Sequence, residues 1–108
     1  MEALNELDWA EVKRTYPSTY KTFNPSTVKT LSDALTILDE ECVVLVVDYN
    51  HYNREDEEWF FRCYDTVREI GYNSQPLCMY YNRHDATIEG LMYALGALEE
   101  RRVSFTGK

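Results

Sequence analysis

Two short stretches gather the side chains best suited to chemistry. Asp48-Tyr49-Asn50-His51 closes one apolar run, and Asn82-Arg83-His84-Asp85 closes a second. A histidine beside a carboxylate can take up and release a proton near neutrality, with the acid orienting the ring. Arg54 and Arg83 offer guanidinium forks for a phosphate or a carboxylate. Asp48 ends an apolar strand, where desolvation would favour its neutral form. If the two runs are neighbouring parallel strands, then Asp48, His51, Arg83, His84 and Asp85 share one rim beyond the carboxyl ends, where open parallel sheets bind ligands. The plainer reading is that Asn, Asp and His crowd strand ends because turns and helix caps use them. The turn after each run has no glycine, which argues against a dinucleotide fingerprint and a P-loop, and no Gly-x-Ser-x-Gly elbow occurs.

The second candidate surface is acidic. The 108 residues hold 19 Asp and Glu against 11 Lys and Arg, a formal charge of −8. Such a chain is ill suited to phosphate backbones or anionic lipid and well suited to a positive groove. The spacing predicts a helix over 54–70, with Phe60, Cys63, Tyr64, Val67 and Ile70 on its inner side. Glu55, Glu58, Asp65 and Glu69 then lie on the opposite face, beside Arg62. Together with Asp39, Glu40 and Glu41 they would form a band of carboxylates imitating the phosphates of a nucleic-acid strand. Tyr49, Tyr52 and Tyr81 fall in turns and would set rings beside that charge, as interface hot spots often do.

The function expected from these features is that of a non-enzymatic acidic inhibitor. It would present a DNA-mimicking surface to a basic nucleic-acid-processing or defence protein, as small phage and mobile-element proteins do. A small enzyme or ligand-binding domain using the histidine rim is the alternative. A third is a subunit that docks into a larger assembly through the aromatic 16–23 segment. No cofactor or metal is expected, because Cys42, Cys63 and Cys78 lack the close spacing of a ligand set. All three lie in apolar patterns and read as reduced, buried thiols of a cytoplasmic protein. No stretch approaches the roughly 20 apolar residues of a membrane span, and the acidic start is unlike a secretory signal.

The elements that must position these residues read as one α/β domain over 1–108. Its helical N-terminal part spans 1–41, and a βαβαβ part spans 42–106. A helix over 3–15 ends before Pro17. Tyr16, Tyr20 and Phe23, in a loop over 16–25, fold back on the core, or 18–23 adds an edge strand. Ser26 caps a helix over 27–39. Cys42 to Asp48 is apolar on both alternating sides and should be a central, doubly covered strand. Asn53 caps the 54–70 helix and Gly71 ends it. A strand over 76–82 follows, then a helix over 86–100 capped by Asp85, and a last strand over 103–106. Gly90 and Gly96 inside that helix imply close approach to the sheet. Tyr52-Asn53-Arg54 and Tyr81-Asn82-Arg83 mark what reads as a repeated strand-turn-helix unit, hence a three-stranded, mainly parallel sheet with about four helices.

The N-terminal helix, Tyr64-Asp65-Thr66, Met79-Tyr80-Tyr81, and Arg101 with Thr106-Gly107 resemble short strings of staphylococcal-type uracil-DNA glycosylase inhibitors. The helix at 86–100 has no expected counterpart in that family. The strings imply a protein inhibitor of a DNA-repair enzyme without identifying a family.

Overall fold

Residues 59–65, Trp-Phe-Phe-Arg-Cys-Tyr-Asp, decide the architecture. They form a strand, not a helix. The structure, a computed structural model, describes residues 7–49, 59–74 and 80–106. The elements run α1 (Trp9–Thr15), α2 (Pro17–Tyr20), α3 (Leu31–Glu40), β1 (Val43–Tyr49), β2 (Trp59–Asp65), β3 (Ile70–Asn73) and α4 (Arg83–Thr106). The strands form one antiparallel sheet in the order β1-β2-β3, with Leu45 opposite Cys63 and Cys63 opposite Tyr72.

The mainly parallel βαβαβ arrangement is therefore overturned. The 54–70 segment fits two periods at once. Phe60, Cys63, Tyr64, Val67 and Ile70 have helical spacing, yet Phe61, Cys63 and Asp65 alternate with exposed Arg62 and Tyr64. Aromatic side chains pack well on a pleated surface, and pairing with β1 settles the choice. The acids at 55–58 and the Asn53 cap lie outside the described residues. Gly71 does not end a helix; it lies in β3.

A four-residue turn joins β2 to β3. The Asp65 carboxylate accepts from the Val67 and Arg68 N–H groups at 3.0 and 3.1 Å and holds the turn. Glu69 closes it at φ 58°, in the left-handed region that non-glycine residues rarely occupy.

Among the described residues, β1 is an edge strand, not a central one, and only one of its sides is covered. Of the strand expected at 76–82, Tyr80 forms a single bridge with Trp59, and residues 75–79 lie outside the described set. The strand expected at 103–106 is the last turn of α4. Residues 17–20 are helical, so 18–23 is no edge strand.

The helices follow the sequence more closely. Asp8 caps α1 by accepting from the Glu11 N–H at 3.1 Å. Thr30, not Ser26, caps α3, in a reciprocal box with Asp33. Asn82 caps α4 by accepting from the Asp85 N–H at 2.8 Å, the role assigned to Asp85 itself. Phe23 folds back and is fully buried, with Tyr16 and Tyr20 packed beside the core.

α4 lies across the inner face of β1 and β2. Leu91, Ala94, Leu95 and Leu98 meet Val43 and Cys63 there, closed off by Val12, Phe23, Ala34 and Leu38. Gly90 makes the approach possible: a Cβ on it would come within 2.8 Å of Leu45 Cδ1 and 3.2 Å of Phe61 Cβ. Gly96 is small for another reason, since its neighbour is the Tyr16 ring.

Candidate functional site

The strand assignment moves the acids. On β2, Asp65 points inward and is 2% exposed. It binds Arg101 Nη1 at 2.9 Å and Arg68 Nε at 3.0 Å. Arg101 Nη2 also reaches the Glu41 carbonyl and carboxylate, and Arg102 Nη2 holds the other Glu41 oxygen at 2.9 Å. Arg102 Nη1 donates to the Ser18 carbonyl at 2.9 Å. Glu99 accepts from the Thr19 N–H at 2.8 Å and the Ser18 N–H at 3.3 Å. The far end of α4 thus clasps the β2–β3 turn, the α3–β1 junction and α2 together. Burial works against the Asp65 charge. Hydrogen bonds from the Arg68 backbone and side chain, the Arg101 charge and the Val67 N–H prevail, and its pKa lies below the usual carboxylate value.

The structure brings Glu41 and Asp65 together, but as partners of one guanidinium and not as an exposed band. The single helical face expected to carry Glu55, Glu58, Asp65 and Glu69 does not form, because residues 59–65 are a strand. Asp39 and Glu40 are exposed on the last turn of α3, and Glu69 is exposed in the β2–β3 turn. Glu55, Glu58 and Tyr52 lie outside the described residues.

The expected histidine rim is assembled in part. Asp48 belongs to the outer side of β1 and pairs with Arg62 Nη2 at 3.6 Å in solvent. On the inner side, Tyr49 meets the Trp59 ring edge-on at 5.1 Å between centroids, and the Arg83 guanidinium carbon lies 4.7 Å from the Trp59 ring centre. His84 and Asp85 follow on the first turn of α4, with Asp85 tied to Asn82. Tyr81 is exposed beside them. His51 lies outside the described residues. Asp48 and the Arg83–Asp85 turn are thus committed to different sides of the strand end.

Cys63 is buried, and its thiol pKa is raised to about 11 by desolvation and by the nearby Asp65 charge. It stays protonated at neutral pH and is a poor nucleophile. Cys42, expected to be buried, is exposed in the turn that enters β1, where its φ is 64°. Cys78 lies outside the described residues. Among the described residues, no group of three or more His, Cys, Asp or Glu could hold a metal ion. Nor is any described helix long and apolar enough to cross a membrane.

Two features were not singled out in the sequence. One is the outer face of the sheet. Val44 stands directly opposite Tyr64, and Val46 opposite Arg62. Val44, Val46 and Tyr64 are 43%, 36% and 43% exposed, and no described element covers them. The Tyr64 ring lies over Gly71, where a Cβ would come within 2.9 Å of its Cδ1. An aromatic ring laid over a strand glycine covers its backbone and helps pin the register of the pair. The second feature is a cavity of about 440 Å³ between α4 and the β2–β3 hairpin. Tyr16, Tyr72 and Tyr93 wall it, and Gly96 and Ala97 line it from α4.

The sequence put Tyr64 on the inner face of a helix; only Phe61 to Asp65 alternate in burial, and Trp59-Phe60-Phe61 masks that alternation. Val44 and Val46 gave no signal, since five consecutive aliphatic residues from Val43 to Val47 hide which side is wet. Compared with known proteins, the chain matches no family model, no curated protein and no solved structure.

Proposed function

We propose that this chain is a non-enzymatic binding protein that engages a basic protein through the outer face of its sheet. The observation that carries the reading is the exposed set Val44, Val46 and Tyr64 on adjacent strands. Contiguous apolar surface left open beside charge is characteristic of association sites. Among the described residues β1 borders the sheet, and a border strand is a template for pairing with another chain. The net charge of −8 supplies the selection of partner. It steers a positive surface into encounter, while the aliphatic and tyrosine side chains supply burial. A protein whose basic groove handles nucleic acid has the matching charge, so inhibition by occupying that groove is the fitting mode. The acids for it are the exposed ones, Asp39, Glu40, Asp48 and Glu69 among them; Asp65 and Glu41 are spent inside.

The test is affinity capture on the immobilised chain with a salt series and a duplex-DNA chase. A basic nucleic-acid-binding protein should be retained at low salt, lost as ionic strength rises, and released by DNA. Retention that ignores both salt and DNA contradicts the groove, and absence of any basic partner contradicts the whole reading.

A further inference from the structure

We propose that the cavity between α4 and the β2–β3 hairpin receives the guanidinium of an arginine side chain presented by the basic partner. This rests on the binding reading above and names a second point of contact. The cavity, about 440 Å³, is of the size that encloses small ligands. Its walls are aromatic. The Tyr72 and Tyr93 rings stack at 4.3 Å between centroids with 16° between planes, and Tyr16 lies across from them on Gly96. Tyr93 is 42% exposed, so its ring can be reached from solvent.

The charge around the cavity selects the ligand. Asp65, Glu99 and Glu100 line it, against Arg68 alone. Asp65 is saturated by Arg68, Arg101 and two backbone N–H groups, and Glu99 is occupied by the Ser18 and Thr19 N–H groups. Arg68 is held by Asp65 at 3.0 Å and touches Glu100 only at 3.4 Å. Glu100, 75% exposed, is therefore the carboxylate with capacity to spare. An anion would meet the Glu99 and Glu100 carboxylates, since the Asp65 charge is already offset by Arg68 and Arg101. A neutral apolar group would strip water from them without replacing its hydrogen bonds. A planar cation that stacks on tyrosine and forks onto a carboxylate meets both demands, and guanidinium does so better than the compact, strongly hydrated ammonium of lysine. Burial, foremost, raises the pKa of Tyr16 and of Tyr93, with added contributions from Glu11 for the first and from groups including Glu100 for the second. Both phenols stay neutral and remain available as hydrogen-bonding groups.

The probe is N-acetyl-arginine amide, titrated into the full chain and followed by NMR of the tyrosine ring signals. N-acetyl-citrulline amide serves as the uncharged isostere and N-acetyl-lysine amide as the ammonium. The expected result is saturable binding of the arginine amide at roughly millimolar concentration, the range for one side chain, with shifts at Tyr16, Tyr72 and Tyr93. Citrulline should bind at least about tenfold more weakly, and lysine in between. Glu100→Gln, at an exposed position, should keep the fold and weaken arginine binding about threefold, the size of an exposed ion pair. Equal binding of citrulline, shifts confined to other residues, or no saturation with the wild-type chain folded would overturn the proposal. Capture of a basic protein without arginine binding here removes the cavity and leaves the binding reading standing. Arginine binding without any basic partner removes the binding reading and reassigns the cavity to a free guanidino compound.

Discussion

On the inner face of the sheet, Val43, Cys63 and Asp65 are buried under α4. One residue along on the same strands, Val44 and Tyr64 stand in the open. The inner face is closed by a helix close enough that Gly90 can carry no side chain, and its one ionised acid is held by two guanidinium groups. The outer face leaves Val44, Val46 and Tyr64 exposed, while Phe60 on the same side of β2 is buried. The contrast separates two environments within seven-residue strands: one side is packed under α4, and the other, with three exposed side chains, is the side proposed to bind.

The largest expected effect lies inside. Replacing Asp65 by Ala removes the partner of Arg101 Nη1, leaves that buried guanidinium to Glu41 alone, and frees the β2–β3 turn. Breaking a buried pair in this way costs about 3–5 kcal/mol. Urea denaturation measures it, and a loss below about 1 kcal/mol would break the contrast. Gly90→Val comes next. Its side chain must displace Leu45 or Phe61, and overpacking of this kind costs roughly 1–3 kcal/mol. An unchanged denaturation midpoint would mean that α4 does not press on the sheet as described.

Acid tests the same network with a defined sign. The folded-state pKa of Asp65 is depressed. Its contribution is therefore complete above the unfolded value of about 3.9 and is lost as pH falls through the folded value. The stability gap between wild type and Asp65→Asn should be constant near neutrality and shrink below about pH 4. A gap that holds steady down to pH 2 would mean the carboxylate is not the stabilising group. A smaller effect is expected at Glu69. Glycine adopts the left-handed conformation there without penalty, so Glu69→Gly should stabilise by roughly 0.5–1 kcal/mol, seen as a higher urea midpoint.

The helices were legible because their signals are local. α3 was read from Val28, Leu31, Leu35 and Leu38, although Val28 precedes the helix and Leu35 is exposed while Ala34 and Leu38 are buried, and the α4 pattern was read over 86–100 even though its ends were not. β1 was legible as a strand from its aliphatic run, but its position was not. A run that reads as covered on both sides belongs in the middle of a sheet, and among the described residues it lies at an edge with one side wet. β2 was illegible because the helical spacing of Phe60, Cys63, Tyr64 and Val67 overlaps the strand alternation of Phe61, Cys63 and Asp65, and a partner strand distant in sequence decides between them. That one assignment carried the acids with it, since a helix would have shown Asp65 to solvent and a strand turns it onto Arg101. The open face could not be read from residue types, because Val44 and Val46 look the same as Val43 and Val47. The cavity depends on Tyr16, Tyr72 and Tyr93 from three distant segments, which only the fold brings together.

The smallest effect on stability should accompany the largest effect on binding. Val44→Lys with Val46→Thr changes two exposed positions of β1 and leaves the Tyr64 ring on Gly71, and substitutions at such positions usually change stability by less than about 0.5 kcal/mol per site. Capture of the basic partner by this double variant, compared with wild type at matched urea midpoints, separates the two faces. Retained folding with lost capture is the expected result. Equal capture by the two chains would contradict the assignment of the outer face as the working surface.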